Sequence, residues 1–126
     1  MLKFLLIFFV ISKNLFALEY TKNDGAYLKI LNKQTSKNYD LTIPLGQSFE
    51  VGENEITIYQ CLSLEKEKSN DAIALLKFKS DNQYNFLGWI IKSSPSLVSI
   101  EDSIFDIKLK DCIFQDPIFP DLKEIN

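Results

Sequence analysis

The chain contains no histidine, and this absence removes the Ser-His, Cys-His and His-metal arrangements on which much hydrolytic and zinc chemistry rests. It has four glycines, none of them in a phosphate-binding pattern, so no nucleotide-handling loop is present. Two cysteines without C-x-x-C spacing, and without a histidine to complete a ligand set, do not make a metal site. No catalytic residue, metal ligand or cofactor is therefore assigned. The 14 basic residues are scattered and the net charge is -3, so neither a nucleic-acid nor an anionic-membrane partner is indicated. No internal repeat or linker divides the chain.

Apolar residues make up 46% of the 126 positions and charged residues 25%, the balance of a folded single domain. The start is different. Met1-Leu2-Lys3 gives a short positive beginning, Phe4 to Ile11 is unbroken apolar sequence, and Ala17 supplies a small residue for cleavage. A membrane anchor needs about 20 apolar residues, and Ser12-Lys13-Asn14 stops this run well short of that. Residues 1–17 are thus expected to be a signal peptide, with Leu18 the first mature residue, a periplasmic or secreted destination and no membrane span after cleavage. In an oxidising compartment Cys61 and Cys112 read as one structural disulfide.

Alternating apolar and polar residues mark seven candidate strands: 26–31, 39–43, 47–51, 55–61, 72–79, 84–91 and 105–110. Pro44-Leu45-Gly46 is a turn in which Gly46 supplies positive φ. Cys61 has the opposite parity to Ile56 and Ile58, so either the strand carries a bulge or the disulfide forms beyond its end. The run from Glu65 to Asp71 reads as a solvated loop and Glu19 to Gly25 as a polar lead-in. Ser94 as N-cap and Pro95 at the first helical position predict a short helix over Pro95 to Glu101, with Leu97 and Ile100 turned inward together. The expected fold is all-β: a small antiparallel sandwich or barrel of six to seven strands with one short helix. The disulfide-stapled domain spans 18–112. Residues 113–126 form an extended tail whose apolar residues and prolines suit draping over the domain or docking on a partner.

Candidate functional residues follow from the same pattern. Phe86, Gly88 and Ile90 share one face of a strand while Leu87, Trp89 and Ile91 share the other, so one side is either covered or shown to a partner. Trp89 is read first as core packing, with ligand or partner contact as the alternative. Ser94 beside Lys92 has the spacing of a serine-lysine pair, but capping accounts for it. Glu101, Asp102 and Asp106 are the carboxylates from which a general acid and base could be built if they converged in a pocket.

Leu31 to Thr35, Ile43-Pro44-Leu45-Gly46-Gln47, Ile56-Thr57-Ile58 with Cys61, Gly88-Trp89, Ser93-Ser94-Pro95, Glu101, and Asp106 with Cys112 together resemble a family of exported alphaproteobacterial proteins, domain of unknown function 2155. The resemblance implies an exported, disulfide-bonded β domain with no established activity. Its members' association with genes for respiratory-complex accessory subunits implies an accessory role at the envelope. This chain has Asp102-Ser103-Ile104-Phe105-Asp106 where the family shows His-Pro-Val-Tyr-Asp, so a function needing that histidine is not carried over. Trp89, Ser93, Ser94, Pro95, Glu101 and Asp106 are the expected partner or ligand contacts. The leading expectation is a non-enzymatic module that binds a protein partner in the envelope. The alternatives are an envelope hydrolase using acidic residues and a small-ligand-binding envelope protein.

Overall fold

The computed structural model describes residues 20–66, 69–81, 84–97, 100 and 102–125, and over these the chain forms nine strands. The expected leader and Glu101 lie outside the described residues. In order the strands are β1 (Tyr20–Lys22), β2 (Gly25–Asn32), β3 (Lys37–Pro44), β4 (Ser48–Val51), β5 (Asn54–Lys66), β6 (Ser69–Lys79), β7 (Asn85–Ile91), β8 (Phe105–Ile113) and β9 (Asp121–Ile125). Two antiparallel sheets pack face to face. The first, sheet A, runs β1-β5-β6-β7, with β4 on the same flank of β5 as β1. The second, sheet B, runs β8-β2-β3-β9.

The alternation seen in the sequence builds the core. From sheet A, Ile56, Ile58, Ala72, Ala74, Leu76, Phe78 and Ile90 point inward and meet Ala26, Leu28, Ile30, Leu41, Ile43, Ile107 and Leu109 of sheet B. All are buried. Burial of one face of each sheet against the other is what specifies the register, since a slip by one residue would exchange core for solvent.

The parity conflict at Cys61 is resolved by a bulge. The β5–β6 register shifts between Ile58 and Gln60, leaving Tyr59 and Gln60 both exposed and turning Cys61 into the core. The same device recurs at the second cysteine: the β2–β8 register shifts at Tyr27/Leu28, Lys110 and Asp111 are both exposed, and Cys112 opposes Ala26. One extra residue in each strand therefore inverts the facing of whatever follows. The two sulfurs meet between the sheets at 2.08 Å, with the α-carbons 5.6 Å apart, so the bond ties sheet A to sheet B.

Several expectations are corrected. No helix forms among the described residues of the range Pro95 to Glu101: 95–97 form a turn closed by the Leu97 N–H donating to the Ser94 carbonyl at 3.1 Å. One hydrogen bond does not offset the cost of nucleating a helix, and the chain instead turns toward β8. Leu97 is 72% exposed while Ile100 is buried, so the two do not turn inward together. The polar lead-in contains β1, which pairs Tyr20 with Leu64. The charged run 65–71 is mostly strand, because β5 and β6 extend through it to Lys66 and from Ser69. Nine strands replace six or seven.

The tail is extended as expected and its end, β9, pairs with β3. On the way Pro117 packs against Gly25, where a β-carbon would lie 2.9 Å from the Ile43 carbonyl and 3.0 Å from the proline ring. No other residue type fits there without a shift. Gly46 has the positive φ of +77° that its turn requires.

Candidate functional site

Opposite the core, the outer face of sheet A carries an apolar surface that the strand registers assemble row by row. Leu62, Ile73 and Ile91 lie side by side across β5, β6 and β7. In the next row Leu75 opposes Trp89, and in the one after Lys77 opposes Leu87. Leu87 is 66% exposed and Trp89 39% exposed, whereas Leu62, Ile73, Leu75 and Ile91 are half-buried by one another. Water-facing sheet sides are normally polar, so six apolar side chains in contiguous rows are unusual on one. Charged residues of both signs border the surface: Lys22 opposes Leu62 and Lys77 opposes Leu87, while Lys79 opposes Glu55, Glu55 opposes Glu50, and Asp71 opposes Leu64.

Trp89 is therefore not a core residue, and the packing expectation for it is corrected. The strand that carries it is at the edge of sheet A, and none of the described strands covers its outer side. The inner side of the same strand is closed by Phe86, whose ring would lie 3.0 Å from a β-carbon at Gly88.

The remaining candidates are dispersed. Ser93 donates its hydroxyl to Asp71 Oδ2 at 2.6 Å and its N–H to Asp71 Oδ1 at 3.0 Å. Asp71 also accepts the Ala72 N–H at 2.8 Å, and the serine hydroxyl above all holds its carboxyl below the usual carboxylate range. This pins the end of β7 to the start of β6. Lys92 pairs with Asp111 at 3.7 Å rather than with a serine hydroxyl, and Ser94 closes the turn already described. No serine-lysine pair forms among these residues.

Of the nominated carboxylates Glu101 lies outside the described residues, and Asp102 and Asp106 do not share a pocket. Asp102 is buried, and its Oδ2 accepts the N–H groups of Ile104 at 3.0 Å and Phe105 at 2.9 Å, turning the chain into β8. Asp106 sits on the outer side of β8, 3.7 Å from Lys108. It borders, with Pro95, a groove of about 410 Å³ that also takes in Lys29, Lys92, Lys108 and Lys110. Asp106 and Asp111 offset part of that basic charge. We expect Asp102→Asn to lower unfolding free energy by on the order of 2 kcal/mol, since the buried Phe105 N–H and the partly buried Ile104 N–H would lose a charged acceptor. Chemical denaturation of the purified variant measures this, and an unchanged midpoint would refute the structural role.

Carboxylates do gather elsewhere. Glu50, Glu53, Glu55 and Asp81 line an open cleft of about 830 Å³ at the hairpin tips, where a hydrogen bond to Asp81 raises the Glu53 carboxyl above its ordinary value. Both groups are on solvated turns, where water and salt weaken their field. No set of three or more His, Cys, Asp or Glu side chains is arranged to hold a metal among the described residues.

Sequence reasoning found Leu87, Trp89 and Ile91 through their shared parity but missed Leu62, Ile73 and Leu75. The signal was the continuous apolar run Ala72 to Leu76, which is apolar on both faces. A second exposed apolar group, Phe114, Ile118 and Phe119, was legible in the tail as a sequence but not as an exposed feature. Ile118 holds a φ of +70°, with its N–H on Asp116 Oδ1 and its carbonyl on Gln47 Nε2, both at 2.8 Å.

What fold and surface define is a small disulfide-stapled β-sandwich with an apolar outer face on one sheet. The chain belongs to the family described as "Uncharacterized protein conserved in bacteria (DUF2155)", whose profile matches residues 26–112. That interval takes in strands of both sheets and ends on the second cysteine. The chain is also similar to "Uncharacterized protein RP359" of Rickettsia prowazekii (strain Madrid E), at 26% identity over 104 residues, covering 79% of this chain and 67% of that protein. No solved structure matches.

Proposed function

We propose that this protein is an exported, non-enzymatic module that binds another protein of the bacterial envelope through the outer face of sheet A. The observation that carries the reading is the contiguous apolar surface of Leu62, Ile73, Leu75, Leu87, Trp89 and Ile91 with charged residues at its border. Apolar centres with charged margins are the anatomy of protein interfaces. Lys22 beside Leu62 and Lys77 beside Leu87 favour a partner whose apolar contact surface is edged by carboxylates, whereas Lys79 already faces Glu55. The apolar leader of residues 4–11 and the disulfide support an oxidising destination outside the cytoplasm. Cleavage after Ala17 leaves a mature chain that begins at Leu18. An accessory place in an envelope or respiratory assembly fits a domain with a docking face.

A photo-crosslinking residue at position 77, on this face, compared with one at position 123, on the outer side of sheet B, tests the reading in the exporting cell. The expected result is a discrete adduct from position 77 only, joined to an apolar, acid-edged segment and lost when Lys79 and Lys22 are replaced by glutamate. Equal labelling from both positions, or no protein adduct at all, overturns it. Flotation of the purified protein with anionic vesicles, abolished by the same charge reversal, would instead assign the face to a lipid surface.

A further inference from the structure

Sheet edges are where a β-sandwich is exposed to unwanted pairing, and proteins guard them with charge, proline, bulges or shortness. Four of the five edge strands here are guarded in this way. β1 has three residues and ends on Lys22, and β4 has four and carries Glu50. β9 carries Asp121, Lys123 and Glu124 in five residues. β8 carries Asp106, Lys108 and Lys110 and is bulged. β7 has none of these protections. Its seven residues, Asn-Phe-Leu-Gly-Trp-Ile-Ile, include no charge and no proline, and its register with β6 is unbroken from Asn85 to Ile91.

Which backbone groups face out follows from the ladder. Lys92 donates to the Ala72 carbonyl at 2.9 Å and Ser80 to the Tyr84 carbonyl at 2.8 Å. Hydrogen-bonded pairs in an antiparallel ladder recur every second residue, so Phe86, Gly88 and Ile90 bond to β6. Asn85, Leu87, Trp89 and Ile91 then turn their N–H and C=O groups to the open edge, and no hydrogen bond among the described residues reaches them.

We propose that β7 pairs antiparallel with β7 of a second copy of this chain, about a two-fold axis at Gly88, joining the two A sheets into one. Centring on Gly88 sets Leu87 opposite the second copy's Trp89 and Asn85 opposite its Ile91, so every outward-facing backbone group meets another. About eight backbone hydrogen bonds result. An uncharged strand sets no like charges opposite each other in self-pairing, which β8 and β9 would do through their lysines and carboxylates. The contact is isologous and closes at two copies. Both apolar outer faces stay open and become continuous across the axis. The inference rests on the edge and its register alone, so it stands or falls separately from the envelope partner.

Sedimentation equilibrium of the mature chain between about 1 and about 100 µM tests it. The expected mass is twice that of the chain. Leu87→Glu puts a charge at the edge, opposite Lys77, without removing a bond to β6, and Leu87→Pro removes an N–H that β6 does not use. Each is expected to weaken the dimer at least about tenfold, with the thermal transition of Leu87→Glu unchanged at concentrations where both chains are monomeric. A wild-type monomer throughout the range overturns the proposal. So does a dimer that survives both substitutions, or a mass that keeps rising past two copies.

Discussion

Replacing both cysteines, Cys61→Ala with Cys112→Ala, is expected to lower the free energy of unfolding by about 4 kcal/mol. The two residues are 51 apart in sequence, and a loop of that length loses roughly this much closure entropy when it is free to open in the unfolded chain. For a domain near this size the change corresponds to a fall in Tm of about 15 °C. The loss is large because total stability in such domains is only about 5–15 kcal/mol. It is also placed where it matters, since the bond connects β5 of one sheet to β8 of the other. Urea unfolding of the mature chain and its double variant measures it, with a steeper denaturant dependence expected once the unfolded chain is no longer cross-linked. A difference below about 1 kcal/mol would mean that packing alone holds the sheets together.

How much of this was legible in the sequence depends on whether the information is local. Strands β2, β3, β5, β6, β7 and β8 announce themselves because one face is buried, and burial leaves a period of two in the residues. Strands β1 and β9 leave no such trace. Tyr20–Lys22 is exposed throughout and Asp121–Ile125 almost so, because they join sheet edges through backbone bonds rather than through a buried face. The helix expected at Pro95 failed for the opposite reason: a sound local signal at Ser94 was overridden by the buried carboxylate of Asp102, which turns the chain into β8. The bulge before Cys61 was one of two readings its parity allowed, whereas that before Cys112 went unread because the expected strand stopped at Lys110. Of the candidate site, Leu87, Trp89 and Ile91 could be grouped from one strand, but joining them to Leu62, Ile73 and Leu75 needs the pairing offsets of three strands. Nothing local to Trp89 says that its strand is at an edge.

Phe78→Ala and Leu87→Ala are expected to differ sharply in their effect on the same fold. Phe78 is 1% exposed, opposite Ile56 and Phe86 in the ladder, with the Tyr84 ring 6.4 Å away. Truncating it leaves a cavity among side chains fixed by two sheets, at a cost of about 3–5 kcal/mol. Leu87 is nine residues further on, is as apolar, and is two-thirds exposed; its truncation is expected to change stability by no more than about 0.5 kcal/mol. Denaturant midpoints of the two variants give the comparison directly. If Leu87→Ala costs more than about 1.5 kcal/mol, the outer face of sheet A is covered within the chain itself and its apolar character is explained by folding. If the cost is small, folding does not account for Leu87 or Trp89 on that surface. That outcome supports the proposed protein partner, whose docking would remove leucine and tryptophan from water at the edge of the sheet.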